Sequence, residues 1–258
     1  PLMTKTPHPR AIEAATKYFL IQAAASATIL FSSTINAWLT GEWAINNLSH
    51  PAANIALTLA LAMKLGLAPV HLWLPEVLQG LTLQTGLILS TWQKLAPMAL
   101  LIQLADTTNL ILLMTIGITS TLLGGWGGIN QTQLRKVMAF SSIAHIGWMV
   151  TVLKFAPNIS LLNLLIYLIM TTAMFTTIIS LATKKISDLA TAWPKTPALT
   201  ALSMLTLLSL GGLPPLSGFM PKWLIAQELI KQNLTAFATL ILLSTLLSLF
   251  FYLRLAYI

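Results

Sequence analysis

The chain has 258 residues, 56% of them hydrophobic and 8% charged, with a formal net charge of +8 and no cysteine; its mean hydropathy is +0.81. So small a charged fraction excludes an ordinary soluble domain, where about a quarter of the residues are charged, and the missing cysteines exclude disulfides and cysteine-ligated iron–sulfur or zinc centres within this chain. The positive charge does not describe a nucleic-acid binder, because the bases are scattered through short polar stretches and form neither a basic helix nor an aromatic-interleaved patch.

Apolar runs separated by short polar or Pro/Gly punctuation predict an all-α polytopic membrane protein with about eight transmembrane helices, over 14–39, 52–74, 81–104, 109–126, 136–153, 159–182, 198–230 with a break, and 235–257. The opening at Pro1 carries neither a signal peptide nor a transit peptide and reads as the start of a fragment. Each span switches sides, so the loops test the count. On the side of the N-terminus fall Lys5, Arg10, Arg135, Lys136, Lys184, Lys185, Lys195 and Arg254, with Lys17 in the first turns, whereas the other side holds only Lys154 and Lys231. By the positive-inside rule both ends of the chain face the cytoplasmic or matrix compartment.

Three bases fall inside the predicted spans. Lys64 follows twelve uncharged residues, 52–63, and precedes Gly66, Pro69 and Pro75, so it reads as a base about 18 Å below the surface of a broken membrane helix. A charge at that depth costs at least about 2.5 to 3.5 kcal/mol, which makes it a functional-site candidate by default; the alternative is a helix-end anchor. Lys94 lies mid-span, three residues before Pro97, which loosens the helix by removing a backbone donor, and reads as a functional residue or as a polar packing lysine. Lys222 follows Gly211, Gly212, Pro214, Pro215, Gly218 and Pro221, a stretch in which continuous helix is impossible.

Broken spans bearing a lysine at the break point to an internally repeated transporter fold. Here they are the second and seventh, five apart, and an odd offset implies opposite membrane orientations. The predicted architecture is therefore a single transmembrane domain, 1–258, of inverted five-helix repeats: 1–104 supplies the last three helices of the first repeat, with two lying upstream, and 105–258 is the second. Burial disfavours the charged form of a lysine and a nearby carboxylate favours it, so such residues suit proton transfer. None of the six carboxylates falls mid-span; Glu76 and Glu228 are either edges of the polar line or solvated span ends.

Weaker features complete the reading. His71, in the second half of the broken second span, is a possible proton relay or a packing histidine, and His145 reads as structural. G-G-W-G-G over 124–128 lacks the spacing of a dinucleotide site and reads as a turn between spans, and Trp126, Trp148 and Trp193 as anchors at the membrane interface.

The stretches K-L-G-L-A-P-V-H-L-W-L-P-E over 64–76, T-W-Q-K-L-A-P over 91–97, G-G-I-N-Q-T-Q-L-R-K over 127–136 and S-L-G-G-L-P-P-L-S-G-F-M-P-K-W over 209–223 closely resemble the vertebrate mitochondrial NADH dehydrogenase subunit 2 family. These are antiporter-like membrane subunits of respiratory complex I, the proton-pumping NADH–ubiquinone oxidoreductase of the mitochondrial inner membrane. The resemblance implies that Lys64, Lys94 and Lys222 are the family's midplane lysines, that their partner glutamate precedes Pro1, and that a final helix follows Ile258. It also implies an enzyme subunit with no redox centre and no cofactor of its own: NADH, FMN, iron–sulfur clusters and ubiquinone belong to partner subunits. Its partners are then other membrane-arm subunits, the lipid bilayer and protons, with no nucleic acid. Both ends of the chain fall on the matrix side. A free-standing cation/proton antiporter and a non-transporting membrane scaffold are the competing readings; three buried bases, at roughly 8 to 10 kcal/mol together if additive, weigh against the scaffold.

Overall fold

The structure, a computed structural model, describes residue 3, residues 8–45 and residues 48–257; Lys5 lies outside them. Twelve helices account for the described chain, in the order α1 (Pro9–Thr40), α2 (Pro51–Leu65), α3 (Trp73–Gly80), α4 (Leu83–Ser90), α5 (Trp92–Gln103), α6 (Leu110–Ile129), α7 (Leu134–Val152), α8 (Pro157–Ser180), α9 (Ile186–Ala190), α10 (Pro197–Gly211), α11 (Phe219–Lys231) and α12 (Thr235–Tyr257). Of these α1, α6, α8 and α12 are each long and apolar enough to cross a membrane. Of the others, α2 with α3, α4 with α5, and α10 with α11 make three discontinuous spans, α7 completes eight, and the five-residue α9 lies in the connection between α8 and α10. Helix α7 is the axis of the bundle, with every residue from Val137 to Val152 buried. Helices α6, α8 and α3 pack around it, and α12 covers the outer side of α6.

The second and seventh spans break by the same device. Gly66 adopts φ +75° and Gly212 φ +82°, left-handed values that suit glycine. The N–H of Leu67 returns to the Ala62 carbonyl (2.9 Å), and that of Leu213 to the Leu208 carbonyl (3.4 Å), closing a Schellman turn on each helix end. Seven residues then link to the second half-helix, and the two stretches align at a constant offset: Gly66 with Gly212, Leu67 with Leu213, Pro69 with Pro215, Pro75 with Pro221. At the next position the charge is reversed, with Glu76 in the first and Lys222 in the second.

A third interruption falls in the span over 81–104, but not where proline suggested it. The helix breaks at Thr91, φ −113° and ψ −71°, whereas Pro97 sits inside α5 without ending it. Both the N–H and the Oγ1 of Thr91 return to the Leu87 carbonyl, at 3.0 and 2.7 Å, and the Ser90 carbonyl freed by the break accepts the Tyr167 hydroxyl at 3.1 Å. Irregular backbone inside a membrane bundle is tolerated where protein groups satisfy it in this way.

Residues 124–128 are helical, not a turn. Here α6 needs its glycines for close approach: a Cβ on Gly124 would stand 2.8 Å from the Ala144 backbone nitrogen of α7, and one on Gly128 would stand 2.7 Å from the Phe251 ring of α12. Packing of this closeness outweighs the roughly 1 kcal/mol that glycine costs a helix. Trp148 is likewise not an interface anchor, being buried against Ile225 and Leu229 of α11, while Trp126 and Trp193 are exposed.

Bases near the helix ends bind backbone carbonyls of neighbouring segments. Arg254 donates to the Ile129 carbonyl at the end of α6 (2.8 Å), Arg135 to the Gln79 and Leu81 carbonyls after α3, and Lys154 to the Thr108 carbonyl just before α6 (2.8 Å). Asp188 accepts the backbone N–H groups of Lys185 (2.9 Å) and Lys184 (3.1 Å), which hold its carboxyl below the usual carboxylate range.

Candidate functional site

Lys222, on the first turn of α11, reaches back to the end of α10. The Schellman turn there uses the Leu208 and Ser209 carbonyls, so those of Leu210 and Gly211 are left without helical partners. The Lys222 Nζ donates to both, at 3.4 and 2.9 Å. An ammonium on the carbonyl end of a half-helix is favoured by the helix dipole as well as by the two hydrogen bonds, and the side chain that makes them is only 8% exposed.

Lys94 has quite different surroundings. It stands one turn after the Thr91 break, is 3% exposed, and its Nζ has no hydrogen-bond partner. What it does have is an aromatic face: Nζ lies 5.7 Å from the centroid of the Tyr167 ring on α8, within reach of a cation–π attraction. That tyrosine is fully buried and holds the break itself through Ser90.

Between the two lysines lies His145 of α7, 8% exposed, with its ring centroid 5.6 Å from that of Tyr167. It lines two small cavities of about 10 Å³ each, one shared with Lys222, Ser244 and Tyr252 and the other with Asn163, Tyr167 and Ser209. Each has room for about one water. Lys94, Tyr167, His145 and Lys222 are thus neighbours in the bundle interior, joined by ring contacts and small cavities and by no direct hydrogen bond among the described residues.

Sequence reasoning singled out the lysines and gave His145 a structural part, with no mention of Tyr167. Neither residue carries a spacing signal: they stand on α7 and α8, and only the packing of those helices brings them between the lysines. Lys64 is half-buried at the end of α2, the helix that packs on α5, and makes no hydrogen bond among the described residues. His71, in the link between α2 and α3, is buried with its Nδ1 unpartnered. No hydrogen bond among the described residues joins either to the Lys94–Lys222 line. Glu76 pairs with Lys17 of α1 at 2.7 Å and is half-exposed, and Glu228 meets Lys231 at 3.4 Å, so both are span-end carboxylates.

An all-α bundle with discontinuous helices at a line of buried bases has the form of an antiporter-like membrane fold. The family model for the NADH:quinone oxidoreductase/Mrp antiporter transmembrane region matches residues 2–248. NADH-ubiquinone oxidoreductase chain 2 of Xenopus laevis is 68% identical over 258 residues, covering all of this chain and 75% of that one. Among solved structures, respiratory complex I from Thermus thermophilus with bound aureothin contains a chain that superposes with a TM-score of 0.90 at 30% identity, over 99% of this chain and 61% of its own length. The Mrp complex from a Dietzia species shares the fold, with a TM-score of 0.83 at 20% identity over 96% of this chain and 50% of that one. The chain belongs to the NADH-ubiquinone oxidoreductase chain 2 family, within the wider quinone oxidoreductase and Mrp antiporter group.

Proposed function

We propose that this chain is a proton-translocating membrane subunit of NADH–ubiquinone oxidoreductase, resident with the other membrane-arm subunits in the mitochondrial inner membrane, with both ends of the chain on the matrix side. It contributes to the enzyme by moving protons, while NADH, FMN, the iron–sulfur clusters and ubiquinone belong to its partners and no redox centre lies in this chain. Lys94 and Lys222 are the two ends of a relay through Tyr167 and His145, Lys64 extends it further into the first repeat, to which Lys94 also belongs, and His71 is a further relay group. The shared register of the two breaks, Gly66 to Pro75 and Gly212 to Pro221, supports inverted repeats divided near residue 104.

The observation that carries this reading is the contrast between the lysines. A proton moving from Lys94 to Lys222 leaves an ammonium that has only a ring face for one that has two backbone carbonyls. Each carrier is embedded in protein, so transfer waits on small movements of side chains or of a water in the two cavities, and that is what lets a distant reaction gate it.

The test pairs a buried lysine with an exposed one on the same helix. In the assembled enzyme Lys222→Met should lower proton translocation at least tenfold and slow the coupled reaction, whereas Lys231→Met, nine residues on and exposed, should stay within twofold of the parent. Proton uptake by reconstituted vesicles is the measurement. Equal effects of the two substitutions, with assembly intact in both, would overturn the assignment.

A further inference from the structure

The relay needs a connection to a membrane face, and α8 carries two buried polar groups that nothing in the fold explains. Asn163 is 3% exposed and its Nδ2 has no partner, although it lines the cavity shared by His145 and Tyr167. One turn earlier on the same face, Ser160 is fully buried and its Oγ is also unpartnered. That is unusual in this bundle. Serine and threonine hydroxyls on its helices commonly return to a carbonyl three or four residues back, as Ser203 does to Thr200 (2.7 Å) and Thr171 to Tyr167 (2.7 Å). Buried polar groups of native proteins are nearly always hydrogen-bonded, to protein or to ordered water, so two orphans stacked on one helix face point to water.

Their depth fits a file. Helix α8 begins at Pro157, just beyond Lys154. At about 1.5 Å per residue, Ser160 lies roughly 5 Å inside that end, Asn163 roughly 9 Å and Tyr167 roughly 15 Å. The two orphans therefore stand between the Lys154 end of the bundle and the level of the relay.

We propose that Asn163 is a positioning residue that, with Ser160, holds water between the His145–Tyr167 cavity and the Lys154 end of the bundle, opening the relay to that membrane face along α8. This rests on the relay reading above. The Asn163 amide donates to a water in the cavity, which in turn meets His145; the Ser160 hydroxyl carries the file one turn outward. Protons pass along the waters, and Asn163, which does not titrate, fixes their place.

The experiment compares variants of the full-length protein in its assembled complex, by proton uptake per electron transferred. Asn163→Leu keeps the branched four-atom outline in a somewhat bulkier side chain and removes the amide; it should cut translocation at least fivefold. Asn163→Ser leaves a hydroxyl and room for water, and should restore translocation to within twofold of the parent. A map of the complex that resolves waters should show one within hydrogen-bond reach of both Asn163 Nδ2 and His145. Normal translocation by Asn163→Leu would overturn the proposal, as would equal loss in the leucine and serine variants, which is the signature of packing alone. If Asn163→Leu does not assemble, Ser160→Val decides, with at least a twofold loss supporting the file and parental translocation sinking it. Lys222→Met measured alongside separates the two levels: its normal pumping removes the relay itself, whereas its loss together with normal Asn163→Leu removes only the branch.

Discussion

The ammonium of Lys222 is held by backbone, and the backbone is shaped by one glycine. A Cβ at Gly212 would stand 2.8 Å from the Lys222 Nζ and 3.0 Å from its Cδ, so any larger residue pushes the lysine off the Leu210 and Gly211 carbonyls. Gly212→Ala therefore displaces the site without touching the lysine. It also imposes a left-handed alanine, at about 1–2 kcal/mol. Gly41 provides the control, because it caps α1 at φ +76° with nothing within 4 Å of its missing Cβ. Gly41→Ala should have a similar backbone cost and leave proton translocation near the parent, whereas Gly212→Ala should lower it about tenfold, as read by vesicle acidification in complexes of matched assembly. Equal activities in the two variants would mean that the carbonyl cradle of Lys222 has no part in transfer.

Among the helices, α6 is the one whose sequence is most easily misread. Its four glycines between 124 and 128 look like a turn because glycine is the poorest ordinary helix former, yet Gly124 and Gly128 face α7 and α12 at distances no side chain could occupy. Gly124→Leu meets the backbone of Ala144, which cannot yield as a side-chain tip can, and should destabilise the bundle by about 3 kcal/mol, at the upper end of overpacking effects, or prevent assembly. Trp126→Leu, on the exposed face of the same helix, should change stability by less than about 0.5 kcal/mol. Thermal aggregation of the detergent-solubilised protein distinguishes them, and equal midpoints would show that α6 and α7 are not so closely packed. The same helix shows where sequence reasoning succeeds and fails. The eight apolar runs are legible because each must cross the same layer, and the breaks at Gly66 and Gly212 because glycine and proline coincide there. The break at Thr91 has neither residue at its point of interruption. It exists because Tyr167, from a helix some 75 residues on, supplies a donor to the Ser90 carbonyl. His145 reads as structural and Tyr167 goes unremarked for the same reason: the proposed relay depends on which residues of facing helices meet, and no single stretch of the chain contains it.

At the scale of the whole bundle, the basic loops sort by end as well as by number. Arg254 binds the last residue of α6 and Lys154 the carbonyl just before its first, so these two bases stand at opposite ends of one spanning helix. Lys184 joins the Arg254 end, because its carbonyl accepts the N–H of Leu134 at the start of α7 (3.3 Å). Lys231 joins the other, because Leu229 and Leu234 on either side of it pack with Phe155 and Ala156 beside Lys154. The excess of bases at the Arg254 end is the asymmetry by which positive-inside insertion selects an orientation. Lys184 and Lys231 are both exposed, and the chain's lack of cysteine allows each to be replaced by a single cysteine in an otherwise unaltered sequence. A membrane-impermeant maleimide applied to sealed inner-membrane vesicles of one orientation should label Lys184→Cys or Lys231→Cys but not both, and inverting the vesicles should exchange the result. Labelling of both from one face would require an even number of crossings between them. The helices from α10 to α11 would then have to traverse the membrane twice, or not at all, and the broken span that carries Lys222 would lose its place at the centre of the layer.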